Sequence, residues 1–275
     1  MTPTTSAMRS AFPANWPARI GWIVLAIYVV WAAGQLDVTW ARFAAGLENA
    51  AKFLGRMFPS DASGDKWESL LTGLKESLQI TFIATVLGIA LSLPIGLLAA
   101  RNLMPAWVVW PARGLIAISR SFHEVVVAII FVKAVGFGAI AGIGALVVGS
   151  IGFVSKLFAE AIEEISPKQV EAIRATGASF MNVVMFGVLP QVFSRFLGFA
   201  TYQFDSNLRH STMIGIVGAG GIGGTLFAAF QRFDYDFVCA ILLAIIALIM
   251  IGEILSNFVR ALFTENLSVV DWLRR

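Results

Sequence analysis

Three groups of residues in this 275-residue chain have the types and spacing to do chemistry, and all lie in or beside apolar stretches. The first is Arg120, His123 and Glu124. Charges inside a membrane are costly, so residues of this kind are paired or functional. Arg120 and Glu124 are four apart, which on one helix places them on one face as an ion pair. A proton relay through His123 and Glu124 is the alternative. The second group, Asn207, Arg209, His210, Ser211 and Thr212, gathers hydrogen-bond donors just before Gly218-Ala219-Gly220-Gly221-Ile222-Gly223. That glycine run matches Gly-x-Gly-x-x-Gly literally. A dinucleotide site also needs a preceding strand, a βαβ unit and an acidic residue about 20 positions on, and a run between two apolar stretches supplies none of these. The third group is Val170-Glu171-Ala172-Ile173-Arg174-Ala175-Thr176-Gly177, a polar, helix-forming island with Leu189-Pro190 twelve and thirteen residues after the glycine.

Several chemistries are excluded. Only two histidines are present, no His/Cys/Asp cluster has metal-ligand spacing, and no nucleophile-base pair stands out, so neither catalytic nor metal-binding residues are assigned. No Gly-x-x-x-x-Gly-Lys-Ser/Thr loop occurs, so any ATP and Mg must be handled by another chain. The formal charge of +3 is small and its basic residues are scattered, which gives nucleic acid no basic stripe. Cys239 lies in an apolar run and reads as a packing residue.

The elements that position these groups are membrane helices. Hydrophobic residues make up 58% of the chain and charged ones 13%, against about 25% charged in soluble domains, and the mean hydropathy is +0.80. A span needs about 20 apolar helical residues. That predicts six spans, near Ile20–Leu36, Leu74–Ala100, Trp107–Val135, Ala139–Phe158, Val183–Phe204 and Phe237–Val259. The fold class is therefore an all-α polytopic membrane protein with lipid as its surroundings. Arg9 and Arg19 precede the first span, which Trp22, Tyr28 and Trp31 mark as an uncleaved helix rather than a signal peptide. With both termini inside, Arg101, Lys156, Lys168, Arg174, Arg260, Arg274 and Arg275 are cytoplasmic, as the positive-inside bias favours.

Trp40, Phe43, Leu47, Ala51, Leu54 and Phe58 recur at helical intervals opposite Arg42, Glu48, Lys52 and Arg56. This predicts an amphipathic helix at the outer interface, or a lid packed on the spans. Residues 1–66 thus hold a tail, the first span and this helix; residues 67–275 hold the core, with a cytoplasmic loop at about 160–182. Within that loop, Ser166 is a helix N-cap, Pro167 fits the first helical position, and Gln169 completes a capping box. Gly177 supplies the φ > 0 that ends the helix, and a second helical stretch begins at Ser179.

The spacing of Glu171-Ala172, Gly177 and Leu189-Pro190 resembles the EAA loop of ATP-binding-cassette importer permeases. The likeness extends through Arg120-Ser121-Phe122-His123-Glu124-Val125, the run from Gly149 to Glu163, and Asn207-Leu208-Arg209 through Gly221. Over about residues 70–260 the chain resembles the phosphonate-importer permease family, departing at Gly187, where the general loop pattern favours Ile. The resemblance implies a type I importer (MetI-like) permease fold in a bacterial inner membrane. Its implied partners are a cytoplasmic ATPase dimer, a second permease copy, and an external binding protein that delivers a phosphonate or related oxyanion. It gives Glu171, Ala172, Arg174, Ala175 and Gly177 the coupling role. It makes Gly218, Gly220 and Gly221 an irregular turn near the outer mouth, where backbone approaches backbone or substrate. Arg209, Ser211 and Thr212, with Asn207 beside them, would contact or gate the anion; alternatively Arg209 is an interfacial anchor. A methionine-type permease is the near alternative, and a proton-coupled carrier the one from another class.

Overall fold

The computed structural model describes residues 16–36 and 39–264, with side chains as far as Arg260. Arg9, Arg274 and Arg275 lie outside the described residues. The chain forms two compact units, Met1–Arg56 and Met57–Arg275.

The first unit holds α1 (Trp16–Gln35), long and apolar enough to span a membrane, and most of α2 (Trp40–Met57). The expected amphipathic helix is present as α2. Lys52 pairs with Glu48 one turn earlier at 2.7 Å on its polar side.

The second unit is all-helical among the described residues: α3 (Asp65–Ala99), α4 (Ala106–Ser121), α5 (Glu124–Val135), α6 (Ala139–Glu163), α7 (Pro167–Ala175), α8 (Phe180–Asn182), α9 (Leu189–Ile214), α10 (Ile222–Gln231) and α11 (Tyr235–Thr264). A π-helical turn, Val183–Val188, joins α8 to α9, making one continuous span from Phe180 to Val217. Among the described residues of the two units together, five helices are long and apolar enough to cross a membrane, and six segments are if the bent pair α4 and α5 counts as one span.

The core forms where small residues let α3 meet α6. A Cβ on Gly88 would sit 2.4 Å from Ser150 Cβ, and one on Gly96 2.9 Å from Phe158 Cδ1. On the N-terminal side of these close points Ile80, Ala84, Ala145 and Leu146 are fully buried. Apolar residues such as Phe82, Val86, Ile246 and Ile254 face outward, as lipid-facing positions do. At one end of the bundle, Met57, Leu70, Ile222, Leu226 and Phe237 form a second apolar cluster. Lys66 binds Asp234 at 2.9 Å beside it.

Two expectations fail. The third span is not one helix: α4 and α5 meet at 93° around Phe122 and His123, whose Nδ1 accepts the Val125 N–H at 3.3 Å as an N-cap. Arg120 and Glu124 therefore share no helical face and do not pair. The fifth span does not stop near Phe204: its helix runs to Ile214, so Asn207 to Thr212 belong to the helix rather than lying beyond its end.

Candidate functional site

At one end of the bundle α7 lies between α6 and α9. Ser166 is its N-cap residue and Pro167 sits in the first turn. Gly177, at φ +76°, ends it, a conformation costly for residues with a Cβ. Glu171, Ala172, Arg174, Ala175 and Gly177 are all exposed, whereas Val170 is 6% exposed and Ile173 half-buried beneath them. The helix therefore shows one face with a carboxylate, a guanidinium and two methyl-sized residues. Such a face suits close docking with charge pairing.

The expected capping box is not formed, because the Ser166 side chain makes no cap bond. The Ser166 N–H instead donates to Gln191 Oε1 at 3.2 Å, and Gln191 Nε2 donates to the Gly187 carbonyl at 2.5 Å. Arg195 pairs with Glu164. Gly187 explains its departure from the loop pattern, since a Cβ there would lie 3.2 Å from Ile173 Cδ1 and 3.6 Å from Val170 Cα. A small rigid element is thus joined to the start of a membrane helix by packing and by a side-chain bridge.

The second site group is dispersed by the structure. Asn207, 1% exposed, donates to Thr85 Oγ1 at 2.9 Å and Ser150 Oγ at 3.2 Å, and accepts from Gln203 Nε2 at 2.8 Å. Ser211 accepts from Thr81 Oγ1 at 3.1 Å. Ser92 Oγ reaches the Ser150 carbonyl at 3.2 Å. These bonds form a buried polar seam between α3, α6 and α9. The Thr212 hydroxyl is used on the Arg209 carbonyl at 2.7 Å. Arg209 pairs with Asp205 one turn earlier, its own side chain 46% exposed. Asn207, Ser211 and Thr212 are therefore engaged within the protein, and Arg209 alone of the four projects outward. Among the described residues, Asp205 Oδ1 and Ser155 Oγ are buried without a hydrogen-bond partner.

The glycine run forms the expected irregular turn, and what approaches it is this chain's own side chains, Phe137, Glu76 and Ser77, together with the backbone of Ala139. Gly218, Gly220 and Gly221 all have positive φ. A Cβ on Gly221 would stand 2.5 Å from Ser77 Oγ, which caps the start of α10 by accepting the Ile222 N–H at 2.9 Å. The Gly218 carbonyl accepts the Gly138 N–H at 3.0 Å. The turn thus fastens α10 and the start of α6 to the end of α9.

At the break between α4 and α5, Glu124 has His210 Nδ1 at 3.7 Å and His123 Nδ1 at 3.8 Å. Arg120 makes no ion pair among the described residues and turns away, toward Gly152 of α6. Gln203, Asp205, Thr85 and Gln191 are contributors that residue spacing did not single out; only polarity inside an apolar stretch marked them, whereas His210, one of the donors expected beside the glycines, turns instead toward Glu124.

The family model described as "Binding-protein-dependent transport system inner membrane component" matches residues 92–269. The phosphite transport system permease protein PtxC of Stutzerimonas stutzeri is 39% identical over 257 residues, 92% of each chain. The phosphate-import permease protein PhnE of Mycolicibacterium smegmatis is 43% identical over 193 residues, 70% of this chain and 36% of that much longer relative. The fold matches an inward-facing structure of the MetNI methionine ABC transporter with TM-score 0.66 and 25% identity, over 74% of this chain and 99% of that one. An exposed, capped helix between two spans, an all-helical bundle and these likenesses agree: the chain belongs to the binding-protein-dependent transport system inner membrane components, the permeases of ABC importers.

Proposed function

We propose that the chain is the permease subunit of an ATP-driven importer that takes phosphonate, phosphite or phosphate from an external binding protein across a bacterial inner membrane. The observation that carries this reading is α7: exposed along Glu171, Ala172, Arg174 and Ala175, closed by Gly177, and tied underneath to α9. In this reading α7 faces the cytoplasm with both termini, and the Gly218–Gly221 turn faces outward. An ATPase dimer docks on α7 of each of two permease copies. When the ATPases close, each α7 is displaced, and Gly187 and Gln191 pass the displacement to α9. The bundle then rocks as a rigid body between outward and inward openings. The named substrates of the two relatives, phosphite and phosphate, support an anionic phosphorus compound as cargo. Arg209, exposed and on the outward half of α9, is the residue of the second group placed to meet it. Asn207 and Ser211 serve the scaffold.

The test is ATP hydrolysis by the reconstituted complex, with binding protein and with methylphosphonate, phosphite, phosphate or methionine added separately. Stimulation by a phosphorus oxyanion that is lost in Glu171→Ala supports both cargo and docking helix. Stimulation by methionine alone refutes the cargo, and full coupling in Glu171→Ala refutes the docking role.

A further inference from the structure

A cavity of about 390 Å³ opens between α4 and α6, walled by Ala99 and Ala159 and lined by Arg113, Arg120, Lys156 and Glu160. Its volume is in the range of small-molecule sites, about 300–1,000 Å³. Arg113 and Arg120 lie seven residues apart on α4, two turns on one face. Arg113 is committed: Nη2 binds Glu163 Oε1 at 2.6 Å, and Nε donates to the Ala99 carbonyl at 3.0 Å. Lys156 lies 3.5 Å from Glu160 Oε1. Arg120 has no carboxylate among the described residues, so the cavity carries one uncompensated positive charge.

Depth makes that charge significant. The Arg120 side chain lies over Gly152, where an added Cβ would be 2.7 Å from Arg120 Cγ, and Gly152 is half-way along α6. A guanidinium with no carboxylate partner inside a span is expensive unless water or an anion reaches it. Its planar fork matches two oxygens of a tetrahedral oxyanion, with an ammonium beside it as a point charge. We infer that this cavity is an oxyanion subsite that holds a phosphonate or phosphate group on Arg120, with Lys156 as its second cation. Two sources carry that chemistry: the permeating phosphorus oxyanion, which rests on the importer reading above, and the headgroup of an anionic lipid, which does not.

The test places Ser121→Cys at the cavity rim of the full complex, in vesicles of phosphatidylcholine with or without phosphatidylglycerol. Labelling rates are read with an anionic and a cationic methanethiosulfonate; Cys239 is buried and serves as background. The anionic reagent reacts about tenfold faster than the cationic one, at the lower end of charge-steered rates. Arg120→Gln removes that preference and Arg120→Lys keeps it. Protection by methylphosphonate or phosphate in phosphatidylcholine assigns the subsite to the permeant. Protection by phosphatidylglycerol alone, with no competition from methylphosphonate, assigns it to a headgroup and overturns the permeant assignment. No protection by any of them, or a preference that survives Arg120→Gln, overturns the subsite altogether. Labelling requires no ATP turnover, so the two readings fail separately. Coupled hydrolysis without protection defeats the subsite, and protection without coupled hydrolysis defeats the importer.

Discussion

Replacing Gly187 with Ile restores the residue that the general loop pattern favours, and the geometry says that it damages this protein. What holds α7 to the start of α9 is small. Burial of Val170 contributes about 1.5–3 kcal/mol and the Ser166–Gln191 hydrogen bond about 1 kcal/mol, so a hold of about 3 kcal/mol is reasonable. A Cβ at Gly187 lies 3.2 Å from Ile173 Cδ1, the free end of a side chain that can give way, so Gly187→Ala is tolerated. An isoleucine adds three more carbons in a space bounded by Val170 Cα at 3.6 Å, which is backbone and does not yield. Overpacking costs about 1–3 kcal/mol, the size of the hold itself. The released fraction of α7 then rises from about 1% to between about 3% and 50%, at about 1.4 kcal/mol per tenfold. Amide exchange across residues 168–176 reads this directly, since local opening sets the rate. Gly187→Ile accelerates exchange by about fivefold to about 100-fold, Gly187→Ala by no more than about threefold, and substrate-stimulated ATP hydrolysis falls in the first variant only. Equal protection in Gly187→Ile and the parent chain refutes the reasoning.

Asn207→Ala removes three bonds of the polar seam and costs about 2 kcal/mol, at about 0.6 kcal/mol per membrane hydrogen bond. A double-mutant cycle with Thr85→Val, read by unfolding in mixed micelles, gives a coupling near one such bond; additive losses would show that the Asn207–Thr85 contact contributes nothing. Gly221→Ala meets both φ +79° and Ser77 Oγ at 2.5 Å, so it destabilises by about 1–2 kcal/mol or more, seen as a lowered melting temperature. A melting temperature equal to that of the parent contradicts the tight turn. Outside the spans, the Ser63 backbone N–H at 2.9 Å, helped by the Ser63 side chain and Lys66, holds the Asp61 carboxyl below its ordinary pKa. A depressed folded pKa gives stability that is present above the unfolded value and lost as pH falls through the folded one. Asp61→Asn therefore flattens the acid limb of the melting curve, and an unchanged limb removes Asp61 from that account.

Local signals were legible in the sequence and distant partners were not. Ser166, Pro167 and Gly177 mark the ends of α7 because capping depends on residues within one turn. Gln169 looked like the reciprocal cap, yet Gln191 takes the role from 25 positions away, which no local pattern encodes. The run Asn207 to Thr212 falls beyond the expected end of the fifth span because polar residues in lipid are costly, and Thr81, Thr85 and Ser150, brought alongside by α3 and α6, supply the partners that let the helix continue there. The break before Glu124 contains neither Gly nor Pro. Its one local cue is the His123 side chain capping Val125, so spacing alone put Arg120 and Glu124 on a face that does not exist.

The seam has a mechanical consequence. Its bonds join side chains at fixed heights, so sliding α9 past α3 or α6 by a single residue, about 1.5 Å, misaligns Thr81 with Ser211, Thr85 with Asn207 and Ser150 with Gln203 together. A half-shifted register has no substitute acceptors in lipid. The three helices are therefore locked in register, free to tilt as a block and unable to ratchet. α4 and α5 lie outside that lock, and at their 93° junction, around Phe122 and His123, the backbone changes direction without any bond of the seam crossing it.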